Sequence, residues 1–243
     1  AAVFVDPARR DPTAARRIDG ATRRATNPET WSPPWSWVQA LGQRIPVMAK
    51  VAPGIEDEFL DQCDVDFVSA DGDLVEALVT MPGQGRRQAV LLTGTSELVV
   101  AGGHDTAARE LGKFLVIPNP ALVRARALDW LAGQVAGGLV HPMISWLTSD
   151  ESRACQALAG DTHRPATVLR ILWSGTYDLK RVKRQAATIP HSAITVMTRG
   201  LRLDVDRVRR TLLGATTPGS GELVVAVWRG DSDTRVALCH RAG

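Results

Sequence analysis

The chain has 243 residues, 44% hydrophobic side chains and a net charge of +3, which is typical of a globular protein long enough for two domains. No stretch approaches the roughly 18 consecutive apolar residues of a membrane span, and the opening residues lack the pattern of a signal peptide. The three widely spaced cysteines argue against a disulfide framework or a zinc site and indicate buried thiols in the cytoplasm.

Predicted strands alternate with helices and loops in residues 1–103. Residues 2–5 form a short apolar strand that Pro7 stops, and a polar, arginine-rich loop follows to residue 30. A helix beginning at Pro34 and ending at Gly42 is followed by a strand at 46–51, a short helix at 55–60, strands at 65–70 and 74–81, and a hairpin of strands 89–92 and 97–100. This order predicts an α/β sheet with an antiparallel edge.

The first strand has the sequence of a central strand, which needs parallel neighbours that the chain does not supply. The first residue is also not Met. We therefore expect the chain to begin inside a larger protein.

Residues 104–163 are predicted to be a connector and residues 164–243 a small α+β domain. The connector contains a strand at 113–118, one helix from Pro120 to residue 135 with Asn119 as its cap, a strand at 143–147 and a weak helix to residue 159. The α+β domain contains a strand at 167–173, a helix from the cap Asp178 to 187, a strand at 192–198, a helix at 203–213, and a hairpin of strands 222–229 and 234–239.

Positive charge is concentrated at the end of the chain. Residues 1–100 carry 10 basic and 14 acidic side chains, whereas residues 164–243 carry 14 basic and 6 acidic ones. Such a split favours contact with nucleic acid, and the alternative is a set of ordinary solvated helix faces. The residues predicted to contact phosphates are Arg170, Lys180, Arg181, Lys183, Arg184, Arg199, Arg202, Arg207, Arg209 and Arg210.

Asp6 and Pro7 follow the first strand at its carboxyl end, where α/β sheets bind their ligands. An aspartate there can accept hydrogen bonds from a substrate amino group, and the alternative is an aspartate that only caps a turn. The histidines and cysteines show no metal-ligand spacing, so no metal is predicted.

The stretch Val-Phe-Val-Asp-Pro-Ala-Arg-Arg at 3–10 resembles the fourth conserved motif of class I S-adenosylmethionine-dependent methyltransferases. The resemblance is closer still to an actinobacterial group that carries a THUMP-like C-terminal domain. The matching stretches occur in the expected order at residues 6–10, 31–37, 49–54, 68–73, 112–114 with 118–125, and 146–150.

This resemblance implies the C-terminal half of a Rossmann-like methyltransferase sheet followed by a small α+β THUMP-like domain. It places Asp6, Pro7 and Arg9 at the methyl-transfer site. The residues that it implies for substrate binding are Arg10, Trp31, Pro33, Pro34 and Lys50. Trp35 and Trp37 are alternatives for stacking on a base or are members of the core, and Lys50 is alternatively a surface lysine.

The sequence departs from the family pattern in two ways. Ala8 replaces a second proline, and Arg9 replaces the aromatic residue that usually stacks on the target base. The glycine-rich turn and acidic residue that hold S-adenosylmethionine in this family would lie before Asp6, where the chain has no such motif. We therefore expect this part of the protein to be inactive alone and unable to hold the cofactor.

Three functions remain open from the sequence. The first is methyl transfer to RNA by a complete enzyme of which this chain is the C-terminal part. The second is a non-catalytic RNA-binding module whose methyltransferase half has degenerated, and the third is a scaffold that binds proteins through an exposed sheet edge. The sequence carries no signal for an oligomeric state.

Overall fold

The computed structural model describes residues 2–8, 27–213 and 219–242. The chain forms two compact units: residues 1–103 with 120–127, and residues 104–119 with 128–243. The segment 104–163, which the sequence predicts as a connector, is thus divided between the two units. Among the described residues, no helix combines the length and apolar character needed to span a bilayer.

The first unit is a six-stranded mixed sheet with short helices. Its elements are β1 (Val3–Val5), a 3₁₀ helix (Pro28–Thr30), α1 (Trp35–Gly42), β2 (Val47–Val51), a 3₁₀ helix (Asp57–Leu60), β3 (Asp64–Ala70), β4 (Asp73–Met81), β5 (Arg87–Thr93), β6 (Ser96–Ala101) and α2 (Pro120–Arg124). The strand order is β1-β2-β4-β3-β5-β6. Strands β1, β2, β3 and β5 run parallel, and β4 and β6 are antiparallel to them, which confirms the predicted α/β class. Strand β6 is an antiparallel edge as predicted, whereas the antiparallel strand β4 lies in the interior between β2 and β3.

One face of this sheet is buried and the other is open. Side chains alternate along each strand, so that Ala49, Val65 and Phe67 lie on the buried face, against which α1 and α2 pack. The paired residues Phe4 and Met48 lie on the open face, where Phe4 is 60% exposed.

Strand β1 is at the border of the described sheet. It pairs with β2 in parallel through Val3–Val47, Phe4–Met48 and Val5–Ala49, and no other described strand pairs with it. A central position for β1 therefore requires strands outside the described residues and stays a prediction.

The second unit contains a seven-stranded sheet with the order β11-β12-β13-β10-β7-β9-β8. Its elements are β7 (Phe114–Pro118), α3 (Leu128–Val135), β8 (Gly138–His141), β9 (Ile144–Ser149), α4 (Ser152–Ala159), β10 (Ala166–Thr176), α5 (Leu179–Ala186), β11 (Ala193–Arg199), α6 (Val205–Leu213), β12 (Glu222–Arg229) and β13 (Thr234–Arg241). Strands from the predicted connector and from the predicted α+β domain therefore share one sheet.

Both faces of the second sheet are covered near β12. On one face α5 and α6 bury Val182 and Leu212 against β12 and β13. On the other face, β9 packs against β12 through Trp146 and Trp228, whose ring centroids lie 6.3 Å apart in an edge-to-face arrangement. Because β9 and β12 are distant in strand order yet in contact, the sheet curls back on itself.

The prediction of a single helix from Pro120 to residue 135 is wrong, because this stretch forms two helices, α2 and α3. Arg126 adopts a left-handed backbone conformation with φ of +59°. The N–H of Ala127 donates to the carbonyl of Leu122, and the N–H of Arg126 donates to Val123. These two bonds are the Schellman motif that ends a helix.

The structure adds a strand that the sequence analysis missed. Strand β8 begins at Gly138, which the sequence predicts only as a helix stop. A Cβ atom at Gly138 would lie 2.7 Å from the carbonyl oxygen of Ala107, so glycine is needed where residues 107–109 approach this strand. A glycine required by close packing gives no strand signal in the sequence.

Candidate functional site

Asp6 and Lys50 lie side by side at the carboxyl ends of β1 and β2. The parallel register that pairs Val5 with Ala49 brings the next residue of each strand together. The Lys50 Nζ atom lies 3.1 Å from Asp6 Oδ2, and the Asp6 side chain is 53% exposed. The structure thus joins two of the predicted site residues in one exposed ion pair.

A backbone bridge connects Asp6-Pro7 to the proline-rich stretch. The N–H of Ala8 donates to the carbonyl of Ser32 at 2.8 Å, and the N–H of Ser32 donates back to Ala8 at 3.0 Å. Pro7 is buried, whereas Pro33 and Pro34 are partly exposed and exposed. The predicted substrate-binding prolines therefore lie close in space to the predicted catalytic dipeptide.

The tryptophans near this site differ in exposure. Trp31 is 3% exposed and packs edge to face on Trp35, whose indole N–H donates to the carbonyl of Phe59. Trp37 is 53% exposed. Trp31 and Trp35 thus belong to the core in this structure, and Trp37 is the ring of the three that offers a surface for stacking.

Two predicted residues, Arg9 and Arg10, lie outside the described residues. Their assigned roles at the methyl-transfer site and at the substrate stay predictions.

Two of the described glycines, Gly83 and Gly102, are not available as a cradle for the predicted cofactor, S-adenosylmethionine. A Cβ atom at Gly83 would lie 2.2 Å from the backbone nitrogen of Asp64, and one at Gly102 would lie 2.3 Å from the carbonyl oxygen of Ala125. Backbone atoms pack closely against Gly83 and Gly102, so these two glycines leave no room for a ligand. Within residues 2–8, 27–213 and 219–242, no group of acidic, His or Cys side chains is arranged to hold a metal ion.

Helices α5 and α6 carry most of the predicted nucleic-acid contacts of the second unit. Their apolar residues face the sheet, which leaves the cations outward: Lys180, Arg181, Lys183, Arg184, Arg207, Arg209 and Arg210. Asp178 and Asp204 cap the two helices by accepting backbone N–H groups at 2.7 and 2.9 Å. Lys180, Lys183 and Arg184 line an open cavity of about 610 Å³ together with Asp178 and Ala187.

The remaining predicted cations lie outside the two helices. Arg170 is exposed on β10, and Arg202 is exposed in the loop before α6. Val196 packs beneath α5 and α6 while Met197 packs on the opposite core, so alternation puts Arg199 on the side of Met197. The structure therefore brings the helix cations together and separates Arg199 from them.

The sequence analysis missed a cluster of three arginines around Asp57. Arg87, Arg124 and Arg126 all form ion pairs with this carboxylate. Burial of Asp57 opposes its ionisation, but hydrogen bonds from Arg87 and Arg126 and the charges of Arg87 and Arg124 outweigh this and lower its pKa. The four positions span 70 residues from 57 to 126, so no local motif signals the cluster.

Comparisons with known proteins give relatives of one kind. No protein-family model matches the chain. It is 27% identical over 191 residues to an uncharacterized S-adenosylmethionine-dependent methyltransferase of Mycobacterium tuberculosis, found in strains CDC 1551 and H37Rv. This match covers 75% of the chain and 50% of the relative, so the chain spans about half the length of the curated relatives that it matches.

A solved structure extends the likeness to the fold. The chain superposes over its whole length on 60% of a crystal structure from Porphyromonas gingivalis W83 that is provisionally assigned as a methyltransferase, with a TM-score of 0.64 and 17% identity. The fold, a mixed α/β chain with two mixed sheets, is therefore similar to that of a methyltransferase, and the sequence is similar to proteins named S-adenosylmethionine-dependent methyltransferases.

Proposed function

We propose that this chain is the C-terminal part of a class I S-adenosylmethionine-dependent methyltransferase that acts on RNA and ends in a THUMP-like domain. The observation that carries the proposal is the pairing of Asp6 and Lys50 at the carboxyl ends of two neighbouring parallel strands, beside the bridge from Ala8 to Ser32. Ligands of α/β sheets bind at this edge.

Asp6 is proposed to orient the acceptor. Its carboxylate would accept a hydrogen bond from an exocyclic amino group of the substrate, and its backbone carbonyl would provide a second acceptor before Pro7. Lys50 would hold the carboxylate in position through the 3.1 Å ion pair. Alignment of an amino group needs little acid–base chemistry and accounts for most of the acceleration in such a transfer.

The cofactor is proposed to be S-adenosylmethionine, because the relatives from Mycobacterium tuberculosis are named for it. When bound, it supplies the methyl group. Gly83 and Gly102 offer no cradle for it, so we propose that other residues of the complete protein bind it and that this chain provides the acceptor side of the reaction.

RNA is proposed as the substrate because the outward faces of α5 and α6 are rich in cations. Contacts from Lys and Arg to phosphates supply binding that is independent of base sequence and strongly dependent on salt. The three cysteines are free and buried, which supports the reducing cytoplasm as the proposed location.

The test is the Asp6→Ala variant of the complete protein. Methyl transfer to total RNA should fall by about 100-fold, which is the typical cost of losing alignment at a reacting group. The thermal midpoint should stay unchanged because the side chain is more than half exposed. The matched control, Asp61→Ala, removes another exposed carboxylate and should retain full turnover; equal turnover in the Asp6→Ala variant would reject the catalytic role.

A second candidate is a non-catalytic RNA-binding module. It is favoured by the burial of Trp31, which keeps this predicted substrate-binding ring from stacking on a base. Calorimetry with S-adenosylmethionine on the complete protein separates the two candidates. Binding in the micromolar range supports the enzyme, and no heat of binding supports the module.

A further inference from the structure

Three arginines surround one carboxylate on the buried face of the first sheet. Arg87 Nη1 lies 2.9 Å from Asp57 Oδ1, Arg124 Nη1 lies 3.4 Å from the same oxygen, and Arg126 Nη2 lies 2.8 Å from Oδ2. In the part of the chain that the structure describes, Asp57 is the one carboxylate within ion-pair distance of these guanidinium groups. The cluster therefore has a net charge of +2, because three guanidinium groups surround one carboxylate.

The donors in the cluster also outnumber its acceptors. Each guanidinium carries five N–H groups in a planar fork, whereas one carboxylate offers two oxygens. Arg124 is partly committed, because its Nη2 donates to the carbonyl of Ile55 at 2.6 Å and its guanidinium lies 4.8 Å from the centre of the Phe67 ring. Arg126 is 67% exposed, so its unused donors face solvent.

Close backbone packing fixes the spacing of two of these arginines. The N–H of Gly102 donates to the carbonyl of Arg87 at 2.6 Å, and the N–H of Gly103 donates to the carbonyl of Arg126 at 3.1 Å. A Cβ atom at Gly102 would lie 2.9 Å from the carbonyl oxygen of Arg87, so this approach requires glycine. The two guanidinium groups are thus positioned by backbone contacts as well as by Asp57.

The backbone at Arg126 allows its side chain to be removed without strain. Arg126 occupies the left-handed position of the Schellman motif that ends α2, with φ of +59°. Glycine is the usual residue there because a Cβ atom is disfavoured in this conformation. Replacement of Arg126 by glycine therefore deletes the guanidinium while the backbone keeps a favourable conformation.

We propose that Arg87, Arg124 and Arg126 form a binding site for a phosphate group. Guanidinium forks match the oxygens of phosphate in two-point hydrogen bonds, and a bound dianion would neutralise the excess charge of the cluster. The phosphate belongs either to a free phosphate anion or to the backbone of RNA. The site does not depend on the proposed methyl transfer.

This site is separate from the Asp6–Lys50 pair. Arg87 alternates with Ala89 on the buried face of β5, whereas Lys50 follows Met48 on the open face of β2. The register from β2 through β4 and β3 to β5 keeps Ala49 and Arg87 on the same face, so Lys50 lies on the other. A change at Asp6 should therefore leave phosphate binding intact.

The test uses inorganic phosphate and the Arg126→Gly variant of the full chain. Arginine side-chain N–H resonances should shift saturably on titration at constant ionic strength, and the affinity should fall at least 10-fold in the variant. The variant should fold, because the gain from glycine in the left-handed position offsets the lost ion pair of Arg126 with Asp57. The control Ala136→Gly makes the same backbone change at another left-handed residue and should bind phosphate as the unaltered chain does. Equal binding in Arg126→Gly, or no saturable binding in the unaltered chain, would overturn the proposal.

A second titration identifies the source of the phosphate. If RNA provides it, Arg126→Gly should reduce the dependence of log affinity on log salt by about one for a single-stranded oligonucleotide. If a free anion provides it, RNA binding should be unchanged while phosphate binding is lost. The Asp6→Ala variant should bind phosphate normally, which separates a failure of this proposal from a failure of the methyltransferase assignment.

Discussion

The two units of this chain use arginine in different ways. In the first unit, Arg87 and Arg124 are mostly buried and share Asp57, and Arg86 pairs with Asp64 and Asp66. In the second unit, the described cations of α5 and α6 form no ion pair with a described carboxylate, and Arg181 instead lies over the Trp173 ring at 5.3 Å. The ion-paired arginines of the first unit thus contrast with the outward cations of α5 and α6 in the second.

The two sheets also differ in how many of their faces are covered. The first sheet has one buried face and one open face with exposed Phe4, whereas the second curls so that both faces are covered near β12. An open sheet face and paired strand ends provide a place for a small substrate group, and outward helix cations provide a place for a polyanion. A search guided by net charge alone would therefore find the cations of the second unit and overlook the polar strand ends of the first.

The largest expected effect is on the core of the first unit. Phe67→Ala should lower the free energy of unfolding by about 3–5 kcal/mol, because it removes a fully buried ring and the contact with Arg124. Urea denaturation checks the magnitude, and hydrogen exchange should show the loss in β3 to β5. The control Val99→Ala, at an exposed position of the same sheet, should cost about 0.5 kcal/mol or less. A loss below 1 kcal/mol for Phe67→Ala would contradict the packing described for this face.

The next effect concerns the outward cations of the second unit. Removing Lys180, Lys183 and Arg184 together should weaken binding to single-stranded RNA by about 10- to 100-fold at low salt and reduce the salt slope by about 2–3. Fluorescence anisotropy at several salt concentrations measures both. A control variant in which Arg44, Arg86 and Arg153 are changed to alanine loses three positive charges elsewhere and should bind RNA nearly normally. An equal loss of affinity in both variants would show that net charge, and not the position of these cations, determines RNA binding.

A smaller effect is the pH dependence of the stability that two carboxylates contribute, Asp57 in the first unit and Glu222 in the second. The pKa of Asp57 is lowered as described above, and a hydrogen bond from Thr195, then Arg241, lowers that of Glu222. A lowered pKa stabilises the fold above the ordinary values of about 3.9 and 4.3, and the stabilisation is lost as pH falls through the lowered values.

Asp57→Asn and Glu222→Gln should therefore be less stable than the unaltered chain between about pH 5 and 8, with a difference that shrinks below about pH 4. Thermal denaturation across this range measures the difference. A difference that stays constant down to pH 2 would exclude titration of these carboxylates as its source.

The smallest effect is at the end of α3. Ala136 has φ of +46° and follows the helix in the same left-handed position that Arg126 takes after α2. Ala136→Gly should raise the free energy of unfolding by about 0.5–1 kcal/mol, since glycine tolerates this conformation. Gly133→Ala, in the interior of the same helix with open space around its Cβ, is expected to stabilise by a similar amount. A loss of stability in either variant would contradict the backbone description.

Local patterns predicted much of the fold. The sequence predicted strands at 65–70 and 74–81, which are β3 and β4, and the hairpin of β12 and β13, and the cap Asp178 identified the start of α5. The break between α2 and α3 was not predictable in this way, because Arg126 and Ala127 have ordinary helical propensities and the left-handed residue is not glycine.

The candidate site was predicted in part. The sequence located Asp6 at a strand end, and the parallel register of β1 and β2 then brought Lys50 to it. Burial of Trp31 and the separation of Arg199 from the helix cations depend on packing, which the sequence analysis did not foresee. The roles of all these residues in catalysis and binding remain predictions.

Signals that lie within a few residues were readable from the sequence alone: apolar strands, helix caps, turns, and the placement of Asp6-Pro7 after an apolar strand. The folded chain was needed to show which distant segments share a sheet, how the second sheet curls, and where Arg87, Arg124 and Arg126 meet Asp57. The reason is physical: caps and alternation arise from neighbours along the chain, whereas strand pairing and charge clusters arise from contacts between residues that are far apart in sequence.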